Sequence, residues 1–250
     1  PTFKKNNCNT YTKYKPRTFI SLNYNFQKRI GLYNIQTIGT NYGYEWYNEK
    51  YRHIITPLSF TYVLPSKVTD SFETYLTNNP RVRQGFSQQF IIGQNYTFYY
   101  NNQNLNVGKY KNYFYFRADG FFAGNIVYAF ANLVQKGNEK PYKLGKVSFA
   151  QFARFEAEPR YFFNFKKGQA FAFRSFIGVG IPYGNSTYRD TAVMPYIKQF
   201  SVGGPNSLRG WGFRRLGPGG YNTHATNPSL LDQTADLKFS VTMLALCNRS

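Results

Sequence analysis

The sequence predicts an all-β fold, an antiparallel transmembrane β-barrel, on three observations. Aromatic residues make up 20% of the 250 residues while the mean hydropathy is −0.51, so the chain is aromatic and polar at once. Strands with one apolar face and one wet face produce that combination. Alternating segments recur along the chain, and long connections follow the third, fifth and seventh of them. Outer-membrane barrels separate short turns from long loops in this way, whereas a soluble β-sandwich, the alternative, has no reason to do so.

Composition limits the classes of partner and of membrane segment. The net charge is +20, which is typical of nucleic-acid binding, but the basic residues are scattered over strands and turns. Anionic groups at a membrane surface, such as lipopolysaccharide, account for this charge equally well. No run approaches the roughly 18–20 apolar residues of a spanning helix, so a membrane protein with this sequence would have to be a closed barrel.

The chain divides into a polar start and a strand-rich remainder. Residues 1–17 predict a linker or loop, and no signal peptide with an apolar core is present, so the chain is expected to begin inside a longer protein. Residues 18–250 predict a partial barrel domain of about eight strands. The expected strands are Thr18–Phe26, Tyr33–Tyr47, a segment around Leu58–Leu64, Gly85–Tyr100, Tyr110–Ala123, Ala153–Phe163, Phe171–Ile181 and Ala235–Ala245.

The first three strands alternate clearly. In strand one the even-numbered residues from Ile20 to Phe26 are apolar, and the odd-numbered residues between them are polar. Strand two sets Tyr42, Tyr44 and Trp46 opposite glycine, asparagine and glutamate. Pro57 has no N–H, so it is expected near the start of strand three or at a bulge.

Two connections interrupt the middle of the chain. Residues 65–84 are polar with no sustained period and predict a long connection between strands three and four. Strands four and five again alternate aromatic with polar residues. After strand five, the stretch Ile126–Val134 leaves open one or two turns of helix or a loop packed by its own aromatic side chains.

Strand six carries charge on one face only. Arg154, Glu156, Glu158 and Arg160 are spaced by two, opposite an alanine- and phenylalanine-rich face. Charges of mixed sign can neutralise one another in a wet interior, whereas a single charge facing lipid costs about 2–4 kcal/mol at mid-bilayer. Lys166–Gln169 is expected to form a hairpin turn. Strand seven adds Arg174 to the charged side, together with two glycines that leave space for a folded-back loop. These five charged residues are therefore predicted to face the barrel lumen.

A glycine-dense motif lies in the connection 182–232. Its glycines permit positive φ and close backbone approach, and the guanidinium of Arg209 suits a carboxylate partner. An ordinary surface loop rich in turn formers is the alternative. The candidate functional residues are Gly203, Gly204, Asn206, Ser207, Leu208, Arg209, Gly210, Trp211, Gly217, Pro218 and Gly219.

This motif resembles the Arg-Gly-aromatic loop of the BamA/TamA-type outer-membrane assembly factors, the bacterial surface antigen superfamily, and is most similar to TamA-like members of Bacteroidetes. The likeness is strongest over about residues 145–240. The matching segments are Gly203–Trp211, Leu216–Gly219, Val179–Ser186, Pro195–Phe200 and Asp232–Lys238.

The resemblance implies a sixteen-stranded barrel whose sixth extracellular loop folds into the lumen. Arg209 would contact acidic and polar groups on the inner wall, and the eight strands of this chain would be the fifth to the twelfth. The sequence after Val241 departs from the family's alternation, which leaves closure of this chain into a barrel open.

The function implied is insertion, folding or translocation of other proteins at the Gram-negative bacterial outer membrane, without covalent chemistry. Expected partners are outer-membrane lipid and lipopolysaccharide, client outer-membrane proteins, and periplasmic or accessory assembly subunits, with no nucleic acid. A passive, anion-selective porin-like channel is the alternative, and a soluble, basic β-protein that binds nucleic acid is a third hypothesis.

No catalytic, metal or cofactor site is expected. His53 and His224, the only histidines, lack zinc or triad spacing, and Cys8 and Cys247 lack metal-ligand spacing. Glu156 and Glu158 could act as a carboxylate pair, but the flanking arginines favour a structural charge ladder. The glycines near 217–220 lack the Lys-Ser/Thr of a phosphate loop.

Overall fold

The computed structural model describes residues 15–103, 112–134, 142–165, 169–188, 191–204, 210–214 and 235–247. The predicted linker, 1–17, lies outside these ranges except for its last three residues, and the predicted hairpin turn at Lys166–Gln169 lies outside them except for Gln169. No helix within these ranges is long and apolar enough to cross a membrane.

Eight long strands dominate the described chain, and four short ones accompany them. The strands are β1 (Arg17–Arg29), β2 (Tyr33–Tyr47), β3 (Tyr51–Ser66), β4 (Gln89–Asn101), β5 (Tyr113–Ala123), β6 (Lys143–Leu144), β7 (Val147–Phe149), β8 (Phe152–Asn164), β9 (Gln169–Pro182), β10 (Thr187–Tyr188), β11 (Thr191–Ala192) and β12 (Leu237–Cys247). The prediction of an all-β, antiparallel fold is confirmed, and each of the eight expected segments corresponds to one long strand.

The long strands form one continuous antiparallel path in the order β1-β2-β3-β4-β5-β8-β9-β12. Successive long strands are therefore neighbours. Within the ranges given above, β1 pairs only with β2 and β12 pairs only with β9, so these two strands are the edges of the sheet. The last strand remains paired with β9 as far as Cys247, beyond the point where the sequence departs from the alternation expected of the family.

The register gives the sheet two chemically different faces. One face, here called the open face, carries large apolar side chains that no other element covers, including Ile20, Leu22, Leu58, Ile177 and Phe239. The other, here called the covered face, carries polar and charged side chains and is partly overlaid by helices and loops. Because side chains alternate along each strand, the two faces follow directly from the period-two pattern of the sequence.

Pro57 lies at an irregularity in β3. The register between β3 and β4 shifts between Thr56 and Ser59, so the expectation of a bulge at this proline is confirmed. A bulge accommodates a residue that cannot donate to the ladder.

Three helices lie in the connections: α1 (Asp70–Asn78), α2 (Pro80–Gly85) and α3 (Asn125–Val134). The predicted connection at 65–84 is present between β3 and β4, but α1 and α2, which occupy most of it, were not predicted. Phe72 and Leu76, four residues apart, are the buried side chains of α1, and its remaining positions are mostly polar. Two buried positions in nine residues give too weak a period to recognise. Strand four begins at Gln89 rather than Gly85, since Gly85 ends α2.

The main core lies at one end of the covered face, under α1 and α2. Its largest fully buried side chains include Tyr33 and Ile35 of β2, Phe72 of α1 and Phe152 of β8. Met194 and Tyr196, from the connection between β9 and β12, belong to the same cluster. The long connections therefore fold back over the covered face and add apolar residues to those that the strands contribute.

Candidate functional site

The five charged residues predicted to face inward all lie on the covered face, and the structure brings them together. Glu158, only 4% exposed, accepts hydrogen bonds from Arg160 Nε at 2.8 Å and from Arg174 Nε at 2.5 Å. Glu156 Oε1 pairs with Arg154 Nη2 at 2.5 Å. Glu156 and Glu158 each therefore have a guanidinium partner, as buried charges require.

These paired charges of β8 and β9 are here called the charge network, and strand β5 adds two residues to it. Antiparallel pairing sets Asp119 opposite Glu156 and Arg117 opposite Glu158. Arg117 Nη2 lies 3.5 Å from Glu156 Oε2, and Thr97 Oγ1 donates to Asp119 Oδ2 at 2.6 Å. The alternation of β5 predicts that Arg117 and Asp119 lie on its polar side. Their contact with β8 depends on the register between the two strands, which could not be predicted from the sequence.

Residues 191–204 and 210–214, here called the inward segment, lie against the covered face. Two glycines of β9 make room for it. A Cβ atom at Gly178 would lie 2.5 Å from the ring of Phe200, and one at Gly180 would collide with the sulfur of Met194. The expectation that these glycines leave space for the folded-back connection is confirmed.

Polar and cation–π contacts fix the inward segment beside β8, β9 and β12. The guanidinium of Arg154 lies 4.4 Å from the ring centroid of Phe200. Phe200 also exchanges two backbone hydrogen bonds with Ala235, of 2.8 and 2.9 Å. Lys238 Nζ of β12 donates to the carbonyl oxygen of Ser201 at 2.8 Å. The charge network and the inward segment are therefore one connected structure.

The inward segment also reaches β2, which lies near the opposite edge of the sheet. Tyr196 packs edge-on against Tyr33 of β2 with ring centroids 5.8 Å apart, and the two hydroxyls are hydrogen-bonded. Met194, two residues earlier, contacts β9. Strands β2 and β9 are five strand positions apart, about 24 Å in a flat sheet. One short stretch thus bridges strands that are remote along the sheet.

The described part of the glycine motif forms a narrow reversal. Gly203 and Gly204 have φ of 97° and 86°, which favours glycine, and the N–H of Gly204 donates to the carbonyl of Trp211 at 2.8 Å. A Cβ atom on Gly203 would collide with the carbonyl of Gly212. Gly210 also lies in the described part, and the Trp211 side chain is 53% exposed. Asn206, Ser207, Leu208, Arg209, Gly217, Pro218 and Gly219 lie outside the described residues.

No family model matches this chain, and no curated protein matches it. In the parts of the chain that the structure describes, no group of three histidine, cysteine, aspartate or glutamate side chains is placed to hold a metal ion.

Two cations of the inward segment were missed by the sequence analysis: Lys198, which is partly buried, and Arg214, which is buried. Lys198 Nζ lies 4.7 Å from the ring centroid of Phe121, and burial, with the neighbouring charge of Arg154, lowers the pKa of Lys198 to about 8. The Arg214 guanidinium lies 3.9 Å from the ring centroid of Tyr196, and burial lowers the pKa of Arg214 to about 10. Neither belongs to an alternating strand, so no local pattern indicated burial.

Proposed function

We propose that this chain forms part of a β-barrel of the Gram-negative outer membrane that inserts, folds or translocates other proteins. The observation that carries the proposal is the pairing of an uncovered apolar face with a charged face that the inward segment overlies. An inward loop bearing an Arg-Gly-aromatic motif is the feature that the resemblance to BamA/TamA-type proteins implies.

The open face supports a lipid environment for one side of the sheet. Leu22 is 80% exposed, Ile20 77%, Phe239 67% and Leu237 65%, and these residues belong to the two edge strands. The strands between them also carry exposed apolar side chains on this face. A soluble monomer rarely exposes a contiguous apolar surface of this extent, whereas the outside of a transmembrane barrel must be apolar.

Aromatic side chains form a band at one end of the open face, at the ends of the strands joined by the short connections. Trp46 stacks on His53 with centroids 5.1 Å apart, and His53 packs against Phe98 at 5.2 Å. The band continues over β4, β5, β8 and β9 through these ring pairs: Tyr100–Phe114, Phe114–Tyr161, Tyr161–Phe163 and Phe163–Phe171. Barrels place such girdles where the membrane meets water.

The mechanism proposed is physical. A barrel with a weak seam opens laterally, offers an unpaired strand edge and templates a client strand by β-augmentation. The inward segment holds β2, β9 and β12 relative to one another through Tyr196, Phe200 and Ser201 while the seam moves. Arg209 would add a charged contact from the motif to the inner wall.

Substitution of Arg209 by alanine, in the protein as the cell makes it, tests this function. We expect lower amounts of assembled client barrels in the outer membrane, because the inward loop would lose its charged anchor. Arg83→Ala is the control, since Arg83 is exposed on α2 and pairs with Glu73 away from the charge network. Unchanged client levels in the Arg209 variant, with the variant present in the membrane, would contradict the proposal.

An anion-selective channel is the second candidate, favoured by the charge of the covered face. Basic residues outnumber acidic ones on β5, β8, β9 and β12: Arg117, Arg154, Arg160, Arg174 and Lys238 against Asp119, Glu156 and Glu158. A large, steady, anion-selective conductance in planar bilayers would support the channel. Small and erratic conductance would support a barrel plugged by the inward segment.

A further inference from the structure

A cavity of about 450 Å³ lies between the inward segment and the covered face of β1, β2 and β3. Its sheet side is neutral and polar, with amides and hydroxyls such as Asn23, Asn25 and Ser59. Lys198 and Arg214 line the opposite side. None of the described lining residues is acidic, so the cavity has cations on one wall and no carboxylate in its described lining.

Arg214 is the unusual member of this lining. It is 5% exposed, and its Nη2 donates to the carbonyl oxygen of Tyr196 at 3.3 Å. Its Nε and Nη1 are buried and make no hydrogen bond of good geometry with the described residues, and the nearby Tyr33 hydroxyl favours the charged form of Arg214. A buried cation with unsatisfied donors is costly to fold, so an acceptor at this point would stabilise the protein considerably.

We propose that the cavity is a binding site for a phosphate group, held by Arg214. A guanidinium presents a fork of donors that matches the oxygens of a phosphate or carboxylate. A tetrahedral phosphate has further oxygens for the amides and hydroxyls of the sheet side, which surround the cavity from several strands. The group could come from a dissolved phosphate or from the headgroup of a lipid, and the chemistry of recognition is the same.

The test is titration of the detergent-solubilised protein with inorganic phosphate, against chloride at matched ionic strength, with the thermal unfolding midpoint and calorimetric binding as readouts. We expect phosphate to bind and to raise the midpoint. Arg214→Gln should weaken binding at least tenfold. A tenfold change corresponds to about 1.4 kcal/mol, which is about what a hydrogen bond to a charged group contributes. Arg83→Gln makes the same change of charge outside the cavity and should leave binding unchanged.

Asn25→Leu keeps the test decisive if Arg214→Gln does not fold. Asn25 is exposed on β1 and lines the cavity, so its loss should weaken phosphate binding while the sheet remains intact. A second arm uses micelles that contain phosphatidic acid. Binding of free phosphate that depends on Arg214 identifies a dissolved ligand, and binding of the lipid alone with the same dependence identifies a headgroup. Absence of both, or equal binding by the wild type, Arg214→Gln and Asn25→Leu, would overturn the proposal.

A carboxylate of the chain itself is the rival occupant. Glu139, Asp190 and Asp232 are the acidic residues outside the described ranges. If Glu139→Gln, Asp190→Asn or Asp232→Asn destabilises the protein as much as Arg214→Gln, and the double variant adds nothing, the site is filled internally and the proposal is wrong. None of these readouts involves client assembly, so the phosphate site and the proposed function can fail independently.

Discussion

Glu158 has the clearest structural role of any single residue. It is a nearly fully buried carboxylate that accepts hydrogen bonds from two arginines, one on its own strand and one on the next. Its charge is tolerated because both partners are present. Removing one member of a buried ion pair leaves an uncompensated charge, which costs more than the pair itself contributes.

Glu158→Gln should therefore destabilise the protein by about 2 kcal/mol. This is less than the cost of breaking a fully buried ion pair, because Arg160 and Arg174 are each more than a third exposed. Urea unfolding in detergent micelles measures the change. Glu73→Gln, which breaks an exposed ion pair with Arg83, should cost under about 0.5 kcal/mol. Equal costs for the two variants would show that the charge network does not stabilise the sheet.

Lys198 of the inward segment makes the free energy of unfolding depend on pH. In the folded protein the Lys198 ammonium loses its proton near pH 8, whereas in the unfolded chain its pKa has the ordinary value of 10.5. Arg154 opposes the charged form, and Asp119 and Glu156 favour it. Between these two pKa values the unfolded state binds more protons, so the free energy of unfolding rises with pH.

From pH 7 to pH 9 we expect Lys198 to add about 1 kcal/mol to the free energy of unfolding. Lys198→Met should lose that part of the pH dependence, and Lys50→Met, in the exposed turn between β2 and β3, should retain it. Urea titrations at the two pH values measure both. A pH profile of Lys198→Met identical to that of the wild type would show that the amine is not held in a buried site.

At the scale of elements, the contact between the inward segment and β9 depends on glycine. Gly178→Ala places a methyl group against the ring of Phe200, and we expect a cost of about 1–3 kcal/mol together with faster proteolysis of the connection 183–236. Gly120→Ala on β5 is the matched control, because the nearest atoms, on Phe155, are 3.7 Å away. Equal protease resistance of the two variants would contradict the packing of the inward segment on β9.

The sequence predicts the strands well because each has a strong period of two. Strand two is correct to the residue at Tyr33 and Tyr47, and the faces of Glu156 and Glu158 follow from alternation alone. Helix α1 was missed because its burial depends on Phe72 and Leu76 meeting residues remote in the chain. Arg214 was missed for a similar reason, since its burial results from contacts with Tyr196 and not from a local pattern.

For the whole molecule, the decisive property is the chemical difference between the two faces of the sheet. The open face is apolar from β1 to β12, and the covered face carries the charge network and the inward segment. In water this arrangement leaves a large apolar surface exposed. In the membrane that we propose for this chain, the same surface would meet hydrocarbon, and the charges would stay on the side away from lipid.

Spin labels along β1 in lipid bilayers test this claim most directly. Single cysteines at Leu22, Asn23, Tyr24 and Asn25, in a chain with Cys8 and Cys247 replaced by serine, carry the labels. We expect oxygen, which partitions into lipid, to relax the labels at 22 and 24, and a water-soluble nickel complex to relax those at 23 and 25. Equal access of the nickel complex to all four positions would contradict a lipid-facing sheet.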